Sequence, residues 1–446
     1  MFNPVPDGWE RVVVGDLIAR QFSGPSPTCE ERNTQSEKEW GVLKTTAVTW
    51  SGFNEFAHKT LPQEYWGLKN LEIKAGDVLV TKAGPRHRVG VVVYVPSTQP
   101  RLIVSGKMIA LRLKPKIEES AVVAGLLSQR EAQKYLDDRT TGMAESQLNF
   151  TNTALLNTPL VLPPKDERVV ISKVKESLDT QIRQTEAIIA KLQQVKQGLL
   201  HDLLTRGIDA NGQLRPPRDQ APELYKESPL GWIPREWDAV PLGQMLNRIE
   251  GGWSPNCPEI RPSASEWGVL KVSAVTSGVY KDHEAKVLPV ELKPRPGLEV
   301  KEGDVILTRA NGNPSLVAKT VMVDSTQGKL MLSDKLLRLI PESSLLPFFL
   351  YFLMDFYKTR HQIAALVSGS SGQKNISQKQ IRGLIVPQLT LYEQGRAVEK
   401  VQSINSRIIC EHLELTKLKK QKFGLMDDLL TGRVRVNHLI DTPQAS

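Results

Sequence analysis

Eleven letters occur twice in this chain with little change: EWGVLKTTAVT at residues 39–49 and EWGVLKVSAVT at residues 266–276. Glu266 stands 227 positions after Glu39, and the same offset relates Leu61-Pro62 to Leu288-Pro289 and Gly76-Asp77-Val78 to Gly303-Asp304-Val305. It also relates Thr81-Lys82-Ala83 to Thr308-Arg309-Ala310. One-residue slips bring in Trp9 with Trp237, Ser105-Gly106-Lys107 with Ser333-Asp334-Lys335, and Gln147 and Asn149 with Gln373 and Asn375. GLLHDLLT at 198–205 returns as GLMDDLLT at 424–431. A period this long excludes a solenoid of short repeats. It requires module, helix, module, helix. A duplicated enzyme would need two active sites; a duplicated binder would need a ligand with two matching halves.

Each copy opens with a mixed segment of about 160 residues, the size of one domain. Short β-type runs at 78–80, 89–95 and 305–307 are separated by turn signals, and a helical pattern follows late, for example at 345–363. This reads as α+β rather than regular βα alternation. The expected parts are modules at 1–165 and 238–391, helices at 166–206 and 392–434, a linker at 207–237 and a tail at 435–446. The glycines and prolines of the linker argue against continuous regular structure there.

Each helix carries an apolar stripe at steps of three, four or seven. In the first it is Ile171, Leu178, Ile182, Ile189, Leu192, Leu199 and Leu203. In the second it is Ala397, Ile404, Ile408, Leu415, Leu418, Leu425 and Leu429, each 226 positions later. Such stripes suit coiled-coil packing, and ~37 residues make a rod of about 55 Å. Each stripe could pack only on its own module. Two matching rods more simply pack on each other, antiparallel if a pseudo-two-fold axis relates the copies. The expected fold is therefore two similar α+β domains separated by a long antiparallel two-helix coiled coil.

Composition excludes several classes. No apolar run approaches the ~18 residues of a transmembrane helix, and the first residues lack the pattern of a signal peptide. Three scattered cysteines, Cys29, Cys257 and Cys410, point to free thiols in a reducing, cytoplasmic setting. The seven histidines form no metal-binding spacing. Cys410 and His412 lie two apart on a helix and so do not face one site. Nucleotide-binding and nucleophile-elbow motifs are missing. Asn311–Pro314 lacks the continuation of an amino-methyltransferase motif, and Glu72-Ile73-Lys74 lacks a nearby Pro-Asp to make a nuclease motif. A self-contained enzyme is not expected.

What remains is polar and basic. The net charge is +9, compatible with binding to phosphates. After the Gly-Asp-Val runs come Lys82, Arg86, His87 and Arg88 in one copy, and Arg309, Asn311 and Asn313 in the other. Arginine can make paired contacts to guanine and asparagine to adenine, although loops on any solvated surface diverge. Lys44 and Lys271, shared by both copies, suit phosphate positioning or a structural role. Thr45 and Ser273 beside them complete the expected DNA-contact set.

The chain resembles the specificity subunits of type I restriction-modification systems. The resemblance rests on GWIPREW (231–237), GDVILTR (303–309), SDKLLRLIP (333–341) and GQKNIS (372–377), and above all on DLLTRGIDANGQLR (202–215) leading into APELYKESPLGWIP. The first copy departs from the pattern, with SGKMIALRLKP and ESQLNFTN as weaker versions. The resemblance implies two target-recognition domains on spacer helices, each reading half of a bipartite double-stranded DNA site. It implies as partners two methyltransferase subunits, which carry S-adenosylmethionine, and restriction-translocase subunits, which use ATP and Mg. This chain would bind none of those cofactors and would be non-catalytic by itself, with no membrane partner. The competing classes are a protein scaffold without DNA contact and a fused restriction-methylation enzyme.

Overall fold

The computed structural model describes residues 5–142, 145, 147–368 and 374–440. Gln373, matched above to Gln147, and tail residues 441–446 lie outside them. The chain divides into two compact units: Met1–Glu186 with Leu413–Ser446, and Ala187–His412. Each unit combines one module with part of both long helices.

In the first unit a four-stranded antiparallel sheet runs in the order Ile18–Phe22, Met108–Leu113, Val78–Thr81, Val92–Tyr94. A second sheet places Gly41–Leu43 between Leu102–Ile103, to which it is parallel, and His58–Thr60, to which it is antiparallel. Glu10–Val13 pairs with Pro159–Leu162 and closes the module. The second unit repeats this strand for strand. Its large sheet is Leu246–Gly251, Leu336–Pro341, Val305–Thr308, Thr320–Met322. Gly268–Leu270 again lies between a parallel partner, Leu330–Met331, and an antiparallel one, Ala285–Val287. Asp238–Pro241 closes on Ile385–Gln388.

The repeated Gly-Asp-Val has a structural cause. Gly76 and Gly303 sit at φ 89° and 87°, a left-handed turn that suits glycine. The carboxylate that follows accepts the N–H three residues back: Asp77 from Lys74 at 2.8 Å, and Asp304 from Lys301 at 2.9 Å. An arginine of the adjacent strand then fastens each turn. Arg112 grips Asp77 through two bonds of 2.8 and 2.7 Å, and Arg338 reaches Asp304 at 2.9 Å. The helical pattern at 345–363 divides into Pro347–Asp355 and Tyr357–Leu366, because Phe356 is extended at φ −62° and ψ 134°.

The long helices are Lys165–Thr205 and Leu391–Leu430. In the first unit they run antiparallel. Asp179 pairs with Lys422 and Glu186 with Lys419, so numbering rises on one helix as it falls on the other. Ile171, Met426, Leu429 and Leu430 join the module's core around Val14 and Leu155. In the second unit Leu203, Leu204, Ala397 and Val401 share one core. Ile182, Ile189 and Leu418 are buried, while Leu178, Leu192, Leu199, Ile404, Ile408 and Leu415 are half-buried. Leu425 departs from the expected stripe: it is exposed, and Met426 is buried in its stead. Here the helix packs on the module through Met426, Leu429 and Leu430, one face at spacings of three and four.

The linker is more ordered than its prolines and glycines suggest. Tyr225–Ser228 and Gly231–Pro234 form a hairpin, and Ile208, Leu230, Ile233 and Trp237 are buried. These apolar anchors outweigh the turn-forming composition.

Candidate nucleic-acid interface

The loops after the Gly-Asp-Val strands are built alike from below. Thr81 is buried at the root of the first; its hydroxyl donates to the Arg88 carbonyl and accepts the Val91 N–H at 3.0 Å. Thr308 does the same in the second, donating to the Leu316 carbonyl and accepting the Lys319 N–H at 3.0 Å. One buried threonine thus ties both sides of each loop. The N–H groups of Lys82 and Arg309 donate to the carbonyls of Lys107 and Lys335, at 2.9 and 2.8 Å. A helix clamps the far side. Gln133 Nε2 donates to the Gly90 carbonyl at 2.9 Å, and Arg360 Nη1 to the Ala318 carbonyl at 2.8 Å. Both clamped residues are left-handed, Gly90 at φ 82° and Ala318 at φ 54°. Arg360 also reaches the carbonyls of Ser315 and Val317 at 3.0 and 3.3 Å. Burial pulls its pKa down, and these carbonyl contacts offset part of the lost hydration.

On these matching frames the tips differ. Lys82 and Arg88 are half-buried, and His87 is exposed. Arg86 is exposed but tethered to Asp137 and to Glu145, the latter at 3.2 Å. Arg309 is exposed. Asn311 Oδ1 accepts the Asn313 N–H at 2.9 Å, and Asn313 Oδ1 accepts both the N–H and the hydroxyl of Ser315, at 3.0 and 2.9 Å. A two-point adenine contact needs the amide oxygen and nitrogen together. Asn313 has its oxygen filled by the cap, whereas Asn311 keeps one lone pair.

The lysines expected at phosphates are in ion pairs. Lys44 stands 3.5 Å from Glu31 and Lys271 3.2 Å from Glu259; each acid also holds a second lysine, Lys59 or Lys286. Thr45 opens the short turn Thr45–Ala47, and the Ser273 hydroxyl donates to Glu284 at 2.5 Å. That bond holds the Glu284 carboxyl below its usual range.

Other residues were missed in the sequence. Trp50 is 57% exposed. It lines an open cleft of about 420 Å³ with Arg86, His87, Arg130, Lys134 and Phe150. The segment after the first EWGVLK stretch therefore meets the tip of the first loop, placing an aromatic face among cations. Such surroundings suit bases and phosphates. A tryptophan ending an apolar repeat gives no sign of exposure, and Arg130 and Lys134 belong to a helix far along the chain. Among the described residues no group of His, Cys, Asp and Glu could hold a metal ion, and no helix is long and apolar enough to cross a membrane.

Comparisons with known proteins follow the same lines. Residues 6–194 match the type I restriction modification DNA specificity domain. The EcoEI specificity subunit of Escherichia coli is 35% identical over 203 residues, 45% of this chain and 34% of that subunit, so this match spans about a third of the relative's length. The MjaVIII specificity subunit of Methanocaldococcus jannaschii is 25% identical across 98% of this chain and 95% of its own length. The crystal structure of a type I S subunit from M. genitalium shares the fold, with a TM-score of 0.55 at 13% identity, covering 96% of this chain and 97% of that one.

Proposed function

We infer that this chain, which belongs with the specificity subunits of type I restriction-modification systems, reads a bipartite site in double-stranded DNA, one half with each module. The observation that carries this reading is the pair of loops rooted identically on Thr81 and Thr308 but ending in different polar tips. A common frame with different tips is what two readers of different sequences require. A scaffold that never touched DNA would leave that difference without a role.

In this reading Lys82, Arg86, Arg88, Arg309 and Asn311 face base edges, Arg86 once released from its acids. Asn313 shapes its loop through the cap. Lys44 and Lys271, with Thr45 and Ser273 nearby, position the sugar-phosphate backbone, which fixes register without carrying sequence information. The reaction belongs to partners: methyltransferase subunits with S-adenosylmethionine, and restriction-translocase subunits with ATP and Mg.

The test is methylation. The purified chain alone should transfer no methyl group, and adding its methyltransferase subunit should produce S-adenosylmethionine-dependent adenine methylation. Mapping methylated adenines in cells with and without this chain should reveal one bipartite motif that depends on it. Methyl transfer by the isolated chain, or a motif that survives its deletion, would overturn the assignment.

A further inference from the structure

Two exposed carboxylates occupy matching places in the two units. The segment ahead of each EWGVLK stretch carries Ser-Pro-x-Cys-x-Glu: Ser26-Pro27-Thr28-Cys29-Glu30-Glu31 in one, Ser254-Pro255-Asn256-Cys257-Pro258-Glu259 in the other. In the first, Glu31 holds Lys59 through one oxygen, and Lys44 stands 3.5 Å from the other. In the second, Glu259 holds Lys286 through one oxygen and Lys271 through the other at 3.2 Å. The lysines come from the same two places of the small sheet. Lys59 and Lys286 lie on its antiparallel edge strands, and Lys44 and Lys271 follow its middle strands.

Stability does not account for a triangle built twice. Glu31 and Glu259 side chains are 71% and 69% exposed, and the four lysines about a third. Ion pairs this exposed contribute little to stability. Their geometry has another meaning. A carboxylate with one oxygen on each of two ammonium groups resembles a DNA phosphate, whose two free oxygens share one negative charge. The bonds from Lys59 and Lys286, with help from Lys44 and Lys271, hold both carboxyls below their usual range.

The position fits as well. Ser26 Oγ accepts the Gly106 N–H at 3.0 Å, and Ser254 Oγ accepts the Asp334 N–H at 3.1 Å. The next residues, Lys107 and Lys335, are those whose carbonyls receive Lys82 and Arg309 at the roots of the reading loops. Each acid-bearing strap and each reading loop therefore hang from one turn.

We propose that Glu31 and Glu259 stand in for DNA phosphates: each fills a two-lysine phosphate site in the free protein and is displaced by the backbone of a bound duplex. This rests on the DNA-reading function proposed above. The tethered carboxylate competes with every phosphate that approaches, so it weakens the sequence-independent part of binding and shortens stays on random DNA.

The test compares the full chain with Glu31→Gln, Glu259→Gln and the double variant, titrating a random-sequence duplex by fluorescence anisotropy at several salt concentrations. Each substitution should tighten binding roughly five- to tenfold at 0.1 M salt and steepen the salt slope by about 0.9. In a chain that already carries Lys44→Gln and Lys59→Gln, adding Glu31→Gln should bring no gain, because the site itself is then gone. If the wild-type chain binds no duplex even at low salt, the DNA-reading function fails. If it binds but the Gln variants bind equally or more weakly, only the stand-in role fails, and the acids merely organise their lysines. A gain that survives loss of both lysines also overturns the proposal, since it would come from net charge alone.

Discussion

Trp237 and Glu393 are joined by a buried hydrogen bond, indole N–H to carboxylate, of 2.9 Å. Arg215 meets the same carboxylate at 2.6 Å, and the Ile208 N–H donates to it at 3.2 Å. The other unit contains the counterpart: Trp9 donates to Glu167 at 3.3 Å, and Arg435 Nε reaches Glu167 at 3.0 Å. In each case the tryptophan opens a module and the glutamate stands in the first turn of the helix that follows that module. The arginine comes from the segment after the opposite helix. Each helix start is thus locked to the other helix's exit. In the first unit this lock also joins segments near the two ends of the chain, since Arg435 Nη1 donates to the Asp7 carbonyl at 3.0 Å.

Breaking this lock should be costly. Glu393→Ala leaves Arg215 and the Trp237 N–H buried without their acceptor, a change of about 3–5 kcal/mol for a buried pair. Arg215 retains exposed Glu236 as a second partner, which favours the lower end. Glu167→Ala should cost less, about 1.5–3 kcal/mol, because Arg435 is 28% exposed. Urea unfolding followed by tryptophan fluorescence checks both. Equal losses would mean that burial of the arginine does not set the cost.

Glu250 gives a pH dependence. Burial pushes its carboxyl up, but bonds from Arg248 and Arg338 more than reverse this and hold it below the usual range. A carboxyl with a depressed folded-state pKa contributes stability that is complete above its unfolded value of about 4.3, and loses it as pH falls through the folded value. Glu250→Gln should therefore lower the urea midpoint at pH 7 and flatten its decline below about pH 4. A decline as steep as in the wild type would assign acid sensitivity to other groups.

The clamp on the second loop can be tested from both sides. Arg360→Ala leaves the carbonyls of Ser315 and Val317 without their side-chain donor, and that of Ala318 with the Thr320 hydroxyl at 3.1 Å, and should destabilise by about 1–3 kcal/mol. Ala318→Gly, the residue found at the matching position of the first loop, relieves a left-handed conformation that costs roughly 1 kcal/mol in other residues, less the entropy of the added glycine. It should be neutral to slightly stabilising alone and should recover part of the loss in the double variant. Thermal melts of the four proteins read this directly.

How much of this was legible depends on the range over which each feature acts. Gly76-Asp77 and Gly303-Asp304 stand out because turn geometry and a bond to a residue three back dictate those letters locally. Trp9 and Trp237 can be matched by position, but nothing nearby marks Glu167 and Glu393 as their partners. Gln133 and Arg360 do the same work from helices more than forty residues away, with different side chains, so neither pattern nor identity exposes them. Leu425 and Met426 are both apolar, and only contact with the module decides which is buried. The lysines at 44 and 271 were visible as shared residues. Their acids were not, because the straps that carry them agree at only a few letters.

The last prediction separates reading from framing within one loop. Arg309 is exposed and Asn311 keeps a free lone pair beside its amide nitrogen, so both remain open to a base edge. Arg309→Ala or Asn311→Ala should cost about 1–3 kcal/mol on the cognate site, leave random-sequence binding nearly unchanged, and relax the methylated motif in one half only. Asn313 is different, since its oxygen holds Ser315 by two bonds. Asn313→Ala should lose the cap, about 1 kcal/mol of local stability, and weaken cognate binding through disorder of the loop. Asn313→Asp keeps both acceptor bonds while removing the amide nitrogen and adding a negative charge, whereas Asn313→Ser keeps a capping oxygen with no added charge. Near-normal specificity for Asn313→Ser, beside a relaxed motif for Asn311→Ser, is the expected pair of results from mapping methylated adenines. The reverse pair would make Asn313 the reader and Asn311 the support. Equal loss on cognate and random DNA for Arg309→Ala would place the reading surface elsewhere in the module.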